Sequence, residues 1–510
     1  MEQKKKMKSV LSVLAVSLMF SGSLIGCGAK DKTEEPAQSN ATTQEPAQTE
    51  PAKLEPVDLT WYLDGSPQSD VASVEAEMNK ILKEKLNVTL HLKIVDWGAY
   101  DQKMQVVNAA DENYDLAFTA NWANNYYQNV NKDAFIPLDD LLEKYAPTIM
   151  QTLPKMGWDA TKVKGKIYAI PNYQAWTMTN GIFMQKDIAD KYGIKPDSIK
   201  KLEDLTPFLE QVKKNNPEMV PYENEYQGMF GKNLVYYDFD EVAGRNIPGV
   251  IKLSDTSLKV VNQFESEEYK SFVTLMRDWY QKGYIRKDAA TLKDVQADRK
   301  AGKTASMNAG NIGPGGDTDF NSAMGEDVYI ARLTKPYLLT SSIIATMTGV
   351  SSNSKNPERA VMLLDLLFKD KQLYNMLAHG IEGKHYNKVD ADTVEAIKDS
   401  GYDPQFDWEI GNQFNGYYLK GQQKLWNATI KMNESSTPSP LLGFSFDPAP
   451  VKSEIAQVGT VTAQYVALLE TGSVDPDKML PEFIDKLKKA GSDKIIAEEQ
   501  KQIDAWKQNK

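Results

Sequence analysis

Val57, Leu59, Trp61 and Leu63 alternate with Asp58, Thr60 and Tyr62, a period of two that predicts a strand with one buried face. Val71, Val74, Met78, Ile81 and Leu82 then share one helical face, and Val88, Leu90, Leu92 and Ile94 alternate again. A short helix is predicted around Tyr100–Ala109, and Tyr114–Phe118 reads as a third strand. Strand, helix, strand, helix, strand at this spacing means two crossovers and a parallel sheet. Ligands of open α/β sheets sit beyond the carboxyl ends of the strands. Here those ends carry Asp64 and Gly65, Asp96 and Trp97, then Asn121 and Trp122, a polar and aromatic rim. Farther on, Tyr269, Phe272, Met276, Trp279 and Tyr280 form a helical stripe stopped by Gly283. Ile455, Val458, Tyr465, Leu468 and Leu469 form another, and Phe483, Leu487, Ile495, Ile496, Ile503 and Trp506 predict a helical C-terminus. These are packing faces, so Trp279 and Trp506 are expected in the core or an interface.

The first residues follow a different pattern. Lys4, Lys5, Lys6 and Lys8 precede a mostly apolar run from Val10 to Phe20, which is shorter than the roughly 20 residues a spanning helix needs. It has the length and flanks of a signal-peptide core. Leu24-Ile25-Gly26-Cys27 then resembles the lipobox of bacterial lipoproteins. That resemblance implies cleavage before Cys27, the one cysteine of the chain, and lipid on its thiol. Gly28 to Lys53 has no aromatic and no large apolar side chain and repeats Glu-Pro-Ala-Gln. Such a segment buries too little to offset its ordering entropy and suits a spacer off a membrane.

The remainder, roughly 450 residues, is enough for two or three domain-sized units. A formal net charge of -11 argues against nucleic acid or anionic lipid as the main partner. Arginine is scarce and none precedes Arg245, so the N-terminal half lacks the usual fork for carboxylates. The three histidines, His91, His379 and His385, are not at helical metal-ligand spacing, and no metal or cofactor is called for.

Tyr114-Asp115-Leu116-Ala117-Phe118, Ile136-Pro137-Leu138-Asp139 and Gly165-Lys166-Ile167-Tyr168-Ala169-Ile170-Pro171 follow in order. Ala301 to Met307, Asn356-Pro357-Glu358-Arg359-Ala360, Gly443 to Asp447 and Gly472 to Asp477 come after. In that order the chain resembles the family 1 extracellular solute-binding proteins of ABC importers, with a C-terminal domain similar to that of LipO-like lipoproteins. The resemblance implies an α/β, two-lobed periplasmic-binding-protein-like fold (type II) with a helical C-terminal region. It implies a signal peptide at 1–26, a lipidated linker at 27–53, one lobe from 54–172 and 312–351, and the other from 177–308 and 355–510. Crossings are expected around Pro171–Thr177 and Met307–Asn311. It further implies a monomer, lipid-anchored on the extracytoplasmic face, whose partner is the transporter's permease. Tyrosine and tryptophan outnumber phenylalanine, which suits a carbohydrate ligand that offers C–H faces and hydroxyls. Expected ligand contacts are Asp64, Trp97, Asn121, Trp122, Tyr173, Trp176, Asn308 and Trp408, with Trp122 and Trp176 as stacking platforms.

A glycosidase needs two carboxylates across one bond. Asp139-Asp140 and the Glu223/Glu225 pair are too close along the chain to face one another on a helix. The glycines at 310, 313, 315 and 316 lack the Gly-Lys-Ser/Thr of a phosphate loop, and Glu395 stands where a calcium loop begun at Asp390 needs glycine. Catalysis is therefore not expected, and a sensor or adhesin on the same fold is the alternative.

Overall fold

Among the described residues, eight strands build the two largest sheets. They are β1 (Val57–Asp64), β2 (Val88–Val95), β3 (Leu116–Thr119), β4 (Ala169–Pro171), β5 (Thr179–Gln185), β6 (Ser306–Ile312), β7 (Val328–Arg332) and β8 (Met347–Val350). The computed structural model describes residues 54–177, 179–224, 229–292, 295–316 and 325–508; Cys27, its leader and the linker lie outside the described residues. The first sheet runs β2-β1-β3-β8-β4. β1 is parallel to β2 from Val57↔Val88 to Asp64↔Val95 and parallel to β3 at Trp61↔Leu116. β8 returns antiparallel between β3 and β4. The second sheet runs β6-β5-β7, with β5 antiparallel to both neighbours.

The helices that matter here are α1 (Val71–Leu86), α2 (Tyr100–Ala109), α3 (Pro147–Thr152), α4 (Glu267–Gln281), α5 (Pro357–Lys369), α6 (Lys371–His379), α7 (Lys452–Glu470), α8 (Pro476–Ala490) and α9 (Ser492–Gln508). In α1 the buried residues Val74, Met78 and Leu82 recur every fourth position, one stripe laid on the sheet. The helix stops at Asn87, which takes the left-handed conformation that Asn tolerates better than most residues. α4 buries Tyr269, Phe272, Val273, Met276 and Trp279, as its stripe predicts.

Two large cores follow from these faces. Leu59, Trp61, Met78, Leu92, Ile149, Leu364, Leu377 and Phe406 belong to one, around the first sheet. Ile182, Phe230, Trp279, Val458, Phe483, Leu487 and Ile503 belong to the other, around the second, and Trp506 packs on its edge. The expected lobe boundaries need two corrections. β6 and β7 both pair with β5, so neither Ile312 nor Val328–Arg332 joins the first sheet. α5, α6 and the segment through Ile410 fill the first core, so only the chain from about Leu441 onward packs with the second. The return crossing therefore follows Arg332 rather than lying at Met307–Asn311. There Tyr337–Leu338 pairs in parallel with Thr437–Pro438, tying the second crossing to a third. Amphipathic spacing shows that a helix has a buried face but not which core receives it, and that is why the assignment by chain order failed.

A buried aspartate fastens α5 to α3. Ala146, the residue before α3, has no side chain to accept a capping bond. Asp365 takes that role from α5, accepting from the Thr148 and Ile149 N–H groups at 2.7 and 3.0 Å, the Thr148 hydroxyl at 3.0 Å and Lys369 Nζ at 3.0 Å. Asp365→Ala strands those donors in a buried place, and a loss of about 2–4 kcal/mol in urea unfolding is expected. Asn356, by contrast, precedes α5 without making a side-chain capping bond.

Candidate functional site

Three strands of the first sheet end side by side: the first end buries an acid, and the other two turn an aromatic outward. β1 finishes at Asp64, and the next N–H, of Gly65, donates to Val95 O at 2.8 Å. After β2, Asp96 bends the chain: its Oδ1 accepts from Gly98 N–H at 3.0 Å and its carbonyl accepts the first N–H groups of α2. This turn pushes Trp97 into solvent. After β3, Thr119 Oγ1 donates to Asn124 O at 2.6 Å, and the loop so closed presents Trp122. The Trp122 indole N–H is held by Ala345 O at 2.8 Å, and Asn121 Nδ2 donates to Ser341 O at 3.1 Å. With the N–H groups anchored, the ring faces stay available.

The third indole comes from far along the chain. Residues 407–409 form a short 3-10 turn that holds Trp408 half-buried against the same rim. Trp97 and Trp408 lie nearly parallel, 5.9 Å apart at 12°. Trp122 is 6.5 Å from Trp97 at 27° and 6.2 Å from Trp408 at 36°. Buried Phe118 supports the group from below, edge-on to Trp408 at 6.1 Å. Trp97 is 40% exposed and Trp122 50%, the two largest of the few exposed apolar side chains, and they adjoin one another. The adjoining exposed indoles make this rim the candidate binding surface.

Beside the indoles lie acids that have no protein partner. Asp64 is 1% exposed and Glu409 is 0% exposed. Asp64 Oδ1 and both Glu409 carboxyl oxygens have no hydrogen-bond partner among the described residues. Burial pushes the Asp64 carboxyl up to about 7, helped by the negative charges of Asp101 and Asp96. Burial also pushes Glu409 well above the usual carboxylate range, with Asp64 and Asp407 adding to it. Tyr100, whose hydroxyl donates to Phe118 O at 2.8 Å, feels both carboxyls.

Two of the expected contacts are packing residues instead. Trp176 is 1% exposed; its indole N–H donates to Asn172 O at 2.9 Å and its ring covers Gly157, where a Cβ would sit 2.6 Å from Cη2. Asn433 Oδ1 accepts from the N–H groups of Trp176 and Thr177 and from the Thr177 hydroxyl, closing the segment over. No ring face is left for a ligand, so the expectation of stacking on Trp176 is corrected. Tyr173 is likewise buried, 5.0 Å from Trp176 and edge-on to Phe414 at 4.8 Å. The segment carrying both is zipped to residues 409–413 through Asn172 Nδ2 to Glu409 O, Tyr173 N–H to Gly411 O and Gln413 N–H to Tyr173 O. It positions the turn that bears Trp408. Asn308 lies in the other sheet, where its Nδ2 and that of Asn180 both donate to Asn233 Oδ1 at 3.0 and 2.9 Å. They line a small pocket with Tyr236 and Tyr237.

Asp64, Trp97, Asn121, Trp122 and Trp408 thus gather at one rim. Glu409 was not anticipated. Its signal in the sequence is an acid set between Trp408 and Ile410, with Phe406 just before, where an apolar residue is the norm for a buried site. Among the described residues no group of three or more His, Cys, Asp or Glu side chains is placed to hold a metal ion.

Comparison with known proteins agrees with this architecture. Residues 77–381 match the family model described as bacterial extracellular solute-binding protein, and residues 440–508 match a domain of unknown function (DUF3502). The chain is 31% identical over 464 residues, 89% of its length and 91% of the relative's, to a carbohydrate ABC transporter substrate-binding protein of Streptococcus pneumoniae serotype 4. It superposes with a TM-score of 0.80 on the crystal structure of an N-glycan transport solute binding protein (NgtS) from Streptococcus pneumoniae, at 29% identity over 89% of this chain and all of that one. The same protein in complex with Man5GlcNAc superposes at 0.68, with 30% identity over 89% of this chain and 99% of that one. With its two sheets, its crossing segments and a family match spanning more than half its length, the chain belongs to the bacterial extracellular solute-binding proteins.

Proposed function

We propose that this protein captures an oligosaccharide outside the cell and delivers it to an ABC importer, tethered to the membrane by lipid on Cys27. The observation that carries the proposal is the indole platform at the strand ends. Trp97, Trp122 and Trp408 offer flat apolar faces to the C–H faces of sugar rings. Asp64 and Asn121 add polar atoms at the same strand ends, each with an oxygen that no described residue satisfies. A relative named for carbohydrate transport, and a similar structure solved with Man1GlcNAc and Man5GlcNAc, support the same ligand class. The protein acts by binding and release, with no bond made or broken.

Thermal-shift screening of the unit Leu54–Lys510 against neutral oligosaccharides, amino acids and peptides tests this. A ligand at a hundredfold excess over its Kd stabilises the native state by about 2.7 kcal/mol. Stabilisation by oligosaccharides is expected. Stabilisation by amino acids or peptides alone contradicts the proposal, and release of new reducing ends revives the hydrolase. The tether has its own test. Cys27→Ser is expected to move the full chain from the detergent phase to the aqueous phase on partitioning, and equal partitioning of both forms contradicts lipid anchoring.

A further inference from the structure

The carboxyls of Asp64 and Glu409 are costly where they stand. A buried acid ordinarily has a cation or several N–H groups around it, and Asp365 shows how this chain provides them. Asp64 and Glu409 have no such company. They come from segments 345 residues apart and meet at the end of β1, where a Cβ on Gly65 would lie 4.0 Å from Glu409 Oε1. Tyr100, which feels both carboxyls, packs on Phe118, and Phe118 in turn meets Trp122 and Trp408, so the pair lies close under the indole platform.

Every charged neighbour deepens the negative field. Asp96 faces the pair from the turn after β2, Asp101 from α2 and Asp407 from its own turn. Tyr100 faces it from α2 as a neutral phenol. The nearby cations are engaged elsewhere. Lys103 lies over the Tyr62 ring at 5.8 Å and 3.8 Å from Glu112. His379 is kept neutral by burial, against the pull of Asp407 and Asp403.

We propose that Asp64 and Glu409 act as one carboxyl pair that sorts ligands by charge at the platform, admitting sugars that are neutral or carry an ammonium group and turning away those that carry a carboxylate. The proposal rests on the oligosaccharide reading and specifies the class of sugar. Both carboxyls are closed off from solvent, so they act on the ligand through their field: an ammonium group is drawn to it, whereas a sugar carboxylate brings a second negative charge near buried ones with little water to screen it. The negative charge at the pair grows as pH rises through the range where Asp64 titrates, about 7. Discrimination therefore widens with pH, although a uronate is fully ionised throughout.

Calorimetric titration of the full chain at pH 6 and pH 8 tests this with three probes. They are mannosyl-N-acetylglucosamine and two analogues in which the mannosyl 6-hydroxymethyl becomes a carboxyl or an aminomethyl group. The carboxyl analogue is expected to bind roughly tenfold or more weakly than the neutral sugar at pH 8. The gap is expected to narrow several-fold at pH 6, and Asp64→Asn, which removes the group that titrates near 7, is expected to narrow it at pH 8. Binding of the carboxyl analogue within twofold of the neutral sugar at pH 8 overturns the proposal. So does a gap that is the same at both pH values, which needs no variant to fold. Failure of all three probes to bind overturns the oligosaccharide reading instead.

Discussion

Alanine at Trp97 is expected to weaken oligosaccharide binding by roughly tenfold or more, since stacking on one aromatic side chain contributes about 1–3 kcal/mol where it has been dissected for nucleobases. Trp97 is central to the platform, in ring contact with both Trp122 and Trp408, and it has no buried role that its loss would disturb. Trp97→Ala together with Trp408→Ala should remove most of the measurable affinity, with the two losses not additive because the rings touch. Trp122 requires a gentler variant. Its indole N–H holds Ala345 O, so Trp122→Phe separates the ring face from the anchor better than alanine does. Trp176→Ala is the contrast. That ring is packed over Gly157 inside the first core, so a loss of about 3–5 kcal/mol in stability is expected, and the platform is not its site of action. Titration calorimetry beside thermal melting distinguishes the two patterns. A Trp97→Ala protein that binds as tightly as wild type contradicts the platform.

The second large effect is alkaline destabilisation of the lobe that carries the C-terminal helices. Glu499 on α9 is fully buried, and neither carboxyl oxygen has a partner among the described residues. Burial alone pushes it up to about 9. It is seated against Gly249, whose φ is +139° and where a Cβ would lie 1.7 Å from Glu499 Oε2, so glycine is required there on both counts. In the same lobe, burial raises Glu470 to about 8 and Asp240 to about 7. The folded state holds these protons where the unfolded chain has released them. Stability from these groups is thus full below the ordinary carboxylate range and falls as pH rises. Glu499 by itself contributes a slope of about 1.4 kcal/mol per pH unit, ending near pH 9. Glu499→Gln is expected to be more stable than wild type at pH 8 and to show a shallower fall in urea unfolding from pH 6 to pH 9. An unchanged slope in that variant contradicts the assignment.

The sequence shows some of this structure more clearly than the rest, and the reasons are physical. α1, β2 and α2 are legible because each buries one face, and a one-sided pattern has a measurable period; β1 shows that period only up to Trp61, after which both of its faces are buried. The rim of Asp64, Trp97, Asn121 and Trp122 followed directly, because parallel strands bring their carboxyl ends together. Trp408 joins the same rim through a turn held by Asn172 and Tyr173, a contact across more than 230 residues that no local pattern encodes. Trp176 was misread because a core indole and a binding indole look alike in a sequence. Only the small Gly157 opposite and the Asn433 cap decide it. Glu409 was missed for the opposite reason. A charged residue is ordinarily assigned to solvent, and this one is buried without compensation, which is the kind of local inconsistency that a binding site retains.

The central claim is that a glycan rests on the three indoles at the strand ends. A crystal structure of the protein grown with mannosyl-N-acetylglucosamine tests it most directly. The account predicts a sugar ring in van der Waals contact with Trp97 or Trp122. A sugar bound elsewhere, leaving Trp97, Trp122 and Trp408 uncovered, contradicts it.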